Sequence, residues 1–295
     1  MPKISVILPN FNHSRFLRDR IESVLNQTFQ DFELIMLDDA SVDHSADIIR
    51  SYESHPKVSH IVINKENSGS TFIQWEKGLK LAKGEYIWFA ESDDLSDPDF
   101  LRCFMDAFDQ HPEVGVVYTP SIWIDEDGKE IHRPDHESEG FTQPGIEVIK
   151  SEFTKGCLIY NASTVIFKKA LTINVNFKEL TKFRYTGDWF FWTKLLEQTS
   201  LTRLDQRLNY YRRHNNNVSF KSEREGLQFA EGLKVVNYIL EHYPPGFFAR
   251  QKIILYWALK ISQSDLPDKN NFYKYLPGEG RFWSLFAPLL KLYFK

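Results

Sequence analysis

Three carboxylates stand directly after an apolar run of strand length in the first third of the chain. The run is Tyr86 to Ala90, whose aromatic and β-branched residues are typical of a central strand, and the acids are Glu91, Asp93 and Asp94. Clustered carboxylate oxygens suit a hard divalent cation that holds a diphosphate. The same residues are also compatible with a solvated turn before a helix, because acidic turns are common. This stretch alone leaves both interpretations open.

The elements that position these acids are strands and helices in alternation. The periodicity predicts strands at Ile4 to Leu8, Phe32 to Leu37, Val58 to Ile63 and Tyr86 to Ala90. It predicts helices between them, the first capped by Ser14, the second at 46–52 and the third at 71–83 with Gly84 at its end, and a fourth helix beginning at Asp97 and Pro98. Four strands that alternate with helices predict a parallel sheet.

Parallel strands place the loops that follow them on one edge of the sheet. Four polar segments are therefore expected to converge there, namely Pro9 to Asn12, Asp38 with Asp39, Asn67 to Gly69, and Glu91 to Asp94. A ligand site explains polar loops at successive strand ends better than chance surface placement does. The first loop has neither G-x-G-x-x-G nor G-x-x-x-x-G-K, so the sequence predicts neither a dinucleotide fold nor a P-loop. Phe11 in that loop stands where a nucleobase could stack.

The alternation ends in the second half of the chain. Further strands are predicted at Val114 to Ile124, Ser163 to Phe167 and Leu201 to Tyr211, with a turn at Asp125 to Gly128 and a loop at His132 to Glu139. Asp188 precedes an aromatic helix, for which it is a natural N-cap, and the same carboxyl could instead be catalytic. Arg212, Arg213 and His214 follow the last strand and could meet a diphosphate or face water.

The last part of the chain is predicted to be helical, with helices at Leu227 to His242 and Phe247 to Ile261. Its final segment, 281–295, mixes apolar residues with three basic ones and is too short for a membrane span, which needs ~20 apolar residues. This segment could lie in a membrane interface or pack on the domain as a last core helix. The two alternatives stay open.

Composition excludes several classes of function. The 295 residues are 42% apolar and 15% aromatic, which is typical of a globular protein with a large core. A formal net charge of -4, without a basic stripe, argues against nucleic acid as a partner. Cys103 and Cys157 show no metal-binding spacing and are expected to be reduced thiols. The start of the chain reads as a first strand and not as a signal peptide, so the expected compartment is the cytoplasm.

Several short motifs, taken in order, resemble those of the family 2 glycosyltransferases, which have the nucleotide-sugar-binding fold called GT-A. The resemblance runs from Met1 to about Ser219, and its motifs are Ile4-Ser-Val-Ile-Leu-Pro-Asn-Phe-Asn12, Gln27-Thr-Phe-Gln-Asp-Phe-Glu-Leu34, Leu37-Asp-Asp-Ala-Ser41, Gly84-Glu-Tyr-Ile87, Asp93-Asp94, Gly187-Asp-Trp189 and Tyr211-Arg-Arg-His214. Three positions depart from the family pattern. Glu91 replaces a frequent Asp, Phe190 replaces a second acid, and Glu76 stands where Asn is frequent.

The resemblance implies roles for individual residues. Pro9 and Phe11 would border the nucleobase, Asp39 would hydrogen-bond it, Asp93 would approach the ribose, and Asp188 would be the catalytic base. The nucleotide-binding set is completed by Asn67 and Arg212, and the expected ligands of an Mn²⁺ or Mg²⁺ ion are Asp94, Asp93 and His214. Asp94 is expected to be an exposed acid in its loop.

The resemblance also implies an organisation and an activity. A GT-A domain is expected at 1–222, divided into a nucleotide-binding half at 1–98 and an acceptor-binding half at 99–222, and a helical region at 223–295. The expected donor is a nucleoside-diphosphate sugar with UDP as the carrier, and the expected acceptor is a saccharide or a lipid-linked saccharide in cell-surface polysaccharide synthesis. Residues 281–295 are the candidate for peripheral membrane contact.

Three rival functions remain open. A nucleotidyltransferase would want a glycine-rich basic loop after the first strand, and residues 9–12 do not provide one. A glycosidase would need two facing carboxylates and no nucleotide, so binding of UDP or GDP would decide against it. A protein of this fold that binds nucleotide sugars without turnover would differ only in releasing no nucleoside diphosphate.

Overall fold

A computed structural model describes residues 1–131, 139–214, 225–266 and 268–278. The strands are β1 (Ile4–Asn10), β2 (Phe32–Asp38), β3 (Val58–Ile63), β4 (Tyr86–Phe89), β5 (Leu95–Ser96), β6 (Val114–Tyr118), β7 (Ser121–Ile124), β8 (Phe141–Pro144), β9 (Val165–Lys168), β10 (Ser200–Arg203) and β11 (Asn209–Arg212). The α-helices are α1 (Ser14–Leu25), α2 (Ser45–Arg50), α3 (Thr71–Leu81), α4 (Phe100–Gln110), α5 (Gly145–Val148), α6 (Phe177–Leu180), α7 (Gly187–Leu196), α8 (Leu227–His242) and α9 (Phe247–Gln263). A π-helical segment spans Ile149–Phe153, and 3-10 turns span Ala162–Thr164, Lys169–Asn174 and Lys269–Tyr275.

The main sheet has eight strands in the order β3-β2-β1-β4-β9-β6-β10-β8. β1, β2, β3 and β4 are mutually parallel, β6 is parallel to β10, and β9 runs antiparallel between β4 and β6. The predicted α/β fold with a mainly parallel sheet is thereby confirmed. Because β1 to β4 are parallel neighbours, their exit loops lie on one edge of the sheet, as the alternation of strands and helices predicts.

The first strand is longer than predicted. It continues through Pro9 to Asn10, and Pro9 pairs in register with Leu37 of β2. The pairing of β1 with β4 stops at Ile7 and Phe89, so the missing N–H of Pro9 falls beyond the end of that ladder. The prediction that this strand ends at Leu8, before Pro9, is therefore wrong.

Two segments that were each predicted as one strand are two strands in different sheets. β6 and β10 pair in the main sheet, whereas β7 and β11 pair in a small sheet of order β5-β11-β7. Pro120 separates β6 from β7, and Thr119 Oγ1 accepts the N–H of Leu208 at 3.2 Å where the second segment crosses. The crossing carries the end of β11, with Arg212 and His214, to the edge where β1 and β4 end.

The predicted helix starts need correction. The N-cap positions are His13, Asp99 and Thr186, and not Ser14, Asp97 and Asp188. Leu95–Ser96 pairs with β11 before α4 begins, and Asp97 then accepts the N–H of Asp99 at 2.9 Å. The third helix ends with Ala82 as C-cap. Gly84 is required for another reason, because a Cβ there would lie 2.5 Å from the backbone nitrogen of Ser5.

The core lies on both faces of the main sheet. On one face α1, α2 and α4 cover the sheet, and on the other α3, α7, α8 and α9 do. The C-terminal helices α8 and α9 belong to the core on the face that α3 and α7 cover, and they contribute Leu233, Val236, Trp257 and Ile261 to it. The boundary at 222 and the division of 1–222 into halves remain predictions. Within the described ranges no helix is long and apolar enough to cross a membrane, and segment 281–295 lies outside them.

Candidate active site

The exits of β1 and β2 are joined around Asp38. Asn10 Nδ2 donates to Asp38 Oδ1 at 2.8 Å, and the N–H of Ser41 donates to Asp38 Oδ2 at 2.9 Å. Between them Ala40 has a φ of 60°, in the left-handed region that residues with a side chain rarely adopt. The fully buried Asp38 therefore shapes the loop in which its neighbour Asp39 lies.

Asp39 is the centre of a polar cluster of side chains. Its carboxylate accepts hydrogen bonds from Asn64 Nδ2 at 2.6 Å, from the N–H of Ser68 at 2.9 Å and from Gln74 Nε2 at 2.8 Å. Asn67 Nδ2 donates to the backbone oxygen of Asp39 at 2.9 Å. Ser68 Oγ also donates to the other oxygen, Oδ2, at 2.8 Å, and a carboxylate held by four donors is fixed in orientation before any ligand arrives. Asp39 and Asn67 thus come together as predicted.

Pro9 and Phe11 lie at the same edge but differ in accessibility. Pro9 is buried in β1, and Phe11 in the loop that follows is 44% exposed. An exposed ring at this edge can stack on a planar ligand. Phe11 is therefore available for the predicted contact with a base, whereas Pro9 shapes the backbone beneath it.

A second group of side chains lies at the exits of β1, β4 and β11. Ligand atoms of His13, Asp93 and His214 all lie within 4.8 Å of one another. His214 Nε2 is 3.0 Å from Asp93 Oδ2, and His13 Nδ1 is 2.8 Å from Ser92 Oγ. The predicted residues Asp93 and His214 are thus brought together, and His13 joins them as a third member that sequence reasoning missed.

The surroundings favour the ionised form of Asp93. Burial alone raises the pKa of its carboxyl, but the hydrogen bond from His214 and the nearby imidazoles of His13 and His214 hold that pKa below its ordinary value. The Asp93 side chain is 14% exposed and the His214 side chain 4%. The group therefore presents a carboxylate and two imidazoles in a mostly dry position.

The structure gives Asp94 and Arg212 inward-facing positions. Asp94 is 1% exposed, so the expectation of an exposed acid is wrong, and its oxygens accept Asn161 Nδ2 at 2.5 Å and the N–H of Arg212 at 3.1 Å. Arg212 is 3% exposed and donates to the backbone oxygens of Asp93, Asp125 and Glu126. These contacts hold Arg212 under the acidic loop, and its contact with a diphosphate stays a prediction.

The acidic loop has a buried cation behind it. Arg20 is 0% exposed, stacks 4.8 Å from the centre of the Trp88 ring, and its guanidinium nitrogens have no hydrogen-bond partner within the described ranges. Burial lowers the pKa of Arg20 to about 10, against the opposing charges of Asp94, Asp93 and Glu91. Burial, reinforced by the charge of Asp93, raises the pKa of Glu91 to about 8 and that of Asp94 to about 6. Arg20 offsets part of the mutual repulsion of these acids.

Asp188 is the second residue of α7 and is half-buried. Its Oδ1 accepts the N–H of Trp189 at 2.8 Å, which is a contact within the first helical turn. Burial raises the pKa of the Asp188 carboxyl to about 7. Gly187 lets α7 approach α3, because a Cβ there would lie 2.5 Å from the Phe72 ring. A half-buried carboxyl with a pKa near neutrality is suited to accept a proton.

The sequence carried a signal for one of the missed residues. His13 directly follows Asn12 in the first exit loop, so the parallel sheet that predicts convergence of these loops also includes His13. Arg20 lies inside a helix with ordinary amphipathic spacing, and nothing in the local pattern distinguishes it from a solvated residue.

Comparisons with known proteins agree with this geometry. The sequence model "Glycosyl transferase family 2" matches residues 5–174. A Bacillus subtilis protein named for glycosyl transfer in teichuronic acid biosynthesis, TuaG, is 29% identical over 219 residues, which are 74% of this chain and 82% of TuaG.

Two solved structures show the same fold. S. aureus TarS 1–349 in complex with UDP superimposes with a TM-score of 0.69 at 19% identity, over 98% of this chain and 86% of that one. The mannosyltransferase PcManGT from Pyrobaculum calidifontis, in complex with GDP-Man and Mn²⁺, gives a TM-score of 0.56 at 16% identity over 100% of this chain and 88% of that one.

Proposed function

The chain belongs to glycosyl transferase family 2 and is a glycosyltransferase, and from this premise we propose that it moves a sugar from a UDP-sugar to a hydroxyl of a saccharide or a lipid-linked saccharide. We infer further that transfer is metal-dependent and inverts the anomeric configuration. One observation carries the proposal. The polar cluster around Asp39 and the cluster of Asp93 and His214 lie at the same sheet edge, where parallel strands end.

The donor site is proposed to extend from Phe11 and Asp39 to Asp93. The exposed Phe11 ring would cover one face of the uracil, and Asp39 Oδ2, which accepts one hydrogen bond from Ser68 Oγ, would accept a second from the base. TarS, whose fold this chain shares, has been solved with UDP, and that complex supports the choice of UDP as the carrier. A cell-surface saccharide as acceptor is supported by the likeness to TuaG.

The residues at the site fit a divalent ion. His13, Asp93 and His214 would hold it, and the separation of 3.0 Å between Asp93 Oδ2 and His214 Nε2 suits two ligands that each lie ~2.1 Å from one small cation. Two imidazoles with one carboxylate favour Mn²⁺ over Mg²⁺, because Mg²⁺ prefers oxygen ligands. When bound, the ion would neutralise the charge of the departing diphosphate. Asp94 is a weaker candidate for the predicted ligand role, since both of its oxygens accept hydrogen bonds.

Asp188 is proposed to act as the general base. Its carboxylate would take the proton of the acceptor hydroxyl while the oxygen attacks the anomeric carbon, and the bond to the diphosphate breaks on the opposite face. The raised pKa of Asp188 makes the carboxyl a stronger base than an exposed aspartate. A single displacement of this kind inverts the anomeric centre.

The first test is metal-dependent nucleotide binding. We expect UDP to bind at least ~10-fold more tightly in the presence of Mn²⁺ than in EDTA, because the ion screens the diphosphate from the carboxylate of Asp93. Calorimetric titration of the full chain with UDP under both conditions measures the difference. Release of UDP from a panel of UDP-sugars, with an oligosaccharide acceptor, then tests turnover. Equal UDP affinity with and without chelator would contradict the metal site, and binding without UDP release would point to a non-catalytic protein.

The second test is the pH dependence of turnover. Because burial raises the pKa of Asp188 to about 7, the fraction of active carboxylate increases as pH rises through that value. We expect kcat to rise about tenfold per unit below the midpoint and to level off above it, as for one ionisation. Steady-state rates at saturating donor and Mn²⁺ between pH 5.5 and pH 9 would show both the rise of kcat and its plateau. A flat profile in this range would speak against a base with this pKa.

A further inference from the structure

A carboxylate from α8 reaches the loop that leads to Asp188. Glu231 Oε1 accepts the N–H of Arg184 at 2.9 Å, and Glu231 Oε2 accepts the N–H groups of Tyr185 at 2.8 Å and Thr186 at 3.0 Å. Three successive backbone donors directed at one anion restrict the backbone between them to a narrow range of dihedral angles. These three residues are the ones that precede α7, so Glu231 determines where the helix begins.

The next residue of α8, Gly232, lies against Trp189, the residue that follows Asp188. A Cβ at Gly232 would lie 2.9 Å from Cζ3 of Trp189, so the ring of Trp189 reaches α8 only because position 232 has no side chain. Trp189 also stacks on Trp257 of α9, with 6.2 Å between the ring centres. Adjacent residues of α8 therefore hold the backbone before Asp188 and the side chain after it.

The helix that carries Asp188 depends on these contacts for its first turn. Thr186 occupies the N-cap position, but within the described part of the chain its side chain makes no capping hydrogen bond. The carboxylate of Asp188 accepts the N–H of the neighbouring Trp189, a contact within one turn that does not cap the helix. A helix start without a local cap is positioned by what packs against it.

We propose that Glu231 is a positioning residue for sugar transfer, which holds residues 184–186 so that the Asp188 carboxylate faces the acceptor hydroxyl, with Gly232 allowing the matching contact of Trp189. The inference rests on the proposed role of Asp188 as base. It gives the C-terminal helices a part in catalysis, since α8 supplies the anchor for a residue of the acceptor-side helix α7.

The Glu231 carboxylate also acts on Asp188 through its charge. Among the described residues, the charge that acts on the Asp188 carboxyl is that of Glu231 from α8, and the charge of Asp188 in turn raises the pKa of the buried Cys157 thiol. The negative charge of Glu231 adds to burial in raising the pKa of Asp188. Replacing Glu231 by a neutral residue therefore lowers the pKa of Asp188, and a purely structural role for Glu231 would not move that pKa.

The test compares Glu231→Gln with Glu241→Gln, which removes an exposed carboxylate from the same helix. Glu231→Gln puts an N–H₂ group where an oxygen accepts backbone donors, and we expect kcat to fall at least ~10-fold, because a small displacement of a catalytic group has an effect of this size or larger. The midpoint of the kcat–pH profile should move to lower pH, while the Kd for UDP with Mn²⁺ and the KM for donor stay close to those of the parent. Glu241→Gln should leave all four quantities unchanged.

A second variant tests the other contact. Gly232→Ala displaces the Trp189 ring without a change of charge, so we expect kcat to fall while the midpoint stays in place. Parental kcat in both variants, or a loss of UDP affinity in Glu231→Gln as large as its loss of kcat, would overturn the inference. If Glu231→Gln does not fold, retained kcat in Gly232→Ala is the overturning result. Failure of the proposed function is recognised separately, because Asp188→Asn would then keep its turnover whatever the α8 variants do.

Discussion

Asp188→Asn is expected to lose at least ~100-fold in kcat for transfer to a hydroxyl acceptor, since a positioned general base contributes ~10² to 10⁴ in rate. The variant should bind UDP and Mn²⁺ with parental affinity, because the proposed donor and metal residues lie on other loops. Steady-state kinetics with saturating donor, together with calorimetry of UDP binding, separates the two effects. A variant that keeps most of its kcat would require another base.

The stability of this variant separates a loss of catalysis from a loss of folding. Asparagine has nearly the shape of aspartate and retains the oxygen that accepts the N–H of Trp189. The pKa of Asp188 is raised in the folded protein, so its ionisation removes stability as pH rises from about 4, the ordinary carboxyl pKa, to about 7. Above pH 7 we therefore expect Asp188→Asn to melt at or above the temperature of the parent, as thermal unfolding would show.

Asp47→Asn is the matched control for this experiment. Asp47 is an acid in the first turn of α2 with a side chain that is 77% exposed, and it lies outside the proposed site. The same change of charge at an equivalent helical position should leave kcat unaltered. A similar loss of kcat in both variants would indicate a general electrostatic effect instead of a base.

Asp93→Asn is expected to remove metal-dependent activity. The amide keeps a hydrogen-bond partner for His214 but carries no charge, so it is a poor ligand for a hard cation. We expect kcat/KM to fall at least ~100-fold, which corresponds to about 3 kcal/mol of lost charge stabilisation in the transition state. UDP affinity in Mn²⁺ should fall to the value that the parent shows in EDTA.

The control for Asp93→Asn is Asp106→Asn on α4. Asp106 lies at the surface with a side chain that is 56% exposed, in an ion pair with Arg102. It should retain the difference in UDP affinity between Mn²⁺ and EDTA, as measured by calorimetry. If Asp93→Asn retained that difference as well, the ion would have to be held by other residues, and the cluster with His13 and His214 would not be the metal site.

Local patterns in the sequence account for the nucleotide-binding half of the fold. Apolar runs of strand length alternate with 3.6-residue periodicity, and parallel pairing follows because each connection contains a helix. Convergence of the loops that hold Phe11, Asp39 and Asp93 then follows from topology alone. After Val114 the local pattern does not predict the strands correctly, because strand-like runs are interrupted where the chain crosses between two sheets. Those crossings depend on Pro120 and on contacts such as that of Thr119 with Leu208, which are distant in the chain.

The choice between neighbouring acids was beyond the sequence. Asp93 and Asp94 are adjacent and chemically identical, and a loop pattern does not show which carboxylate points inward. The tertiary structure decides, because Asn161 and the backbone of β11 hold Asp94 inside while His214 meets Asp93. The same β11 backbone places the guanidinium of Arg212 under the loop.

The sequence by itself determined the family, the parallel pairing of the first four strands and the edge at which the polar loops meet, because these depend on short-range periodicity and on motifs in a set order. Only the tertiary structure assembled His13 with His214, placed Arg20 behind the acids and brought Glu231 to the residues before Asp188. These contacts join side chains up to 201 positions apart, between His13 and His214. Such pairs are determined by the packing of helices and sheets against one another, and a pattern within a short window of sequence does not predict that packing.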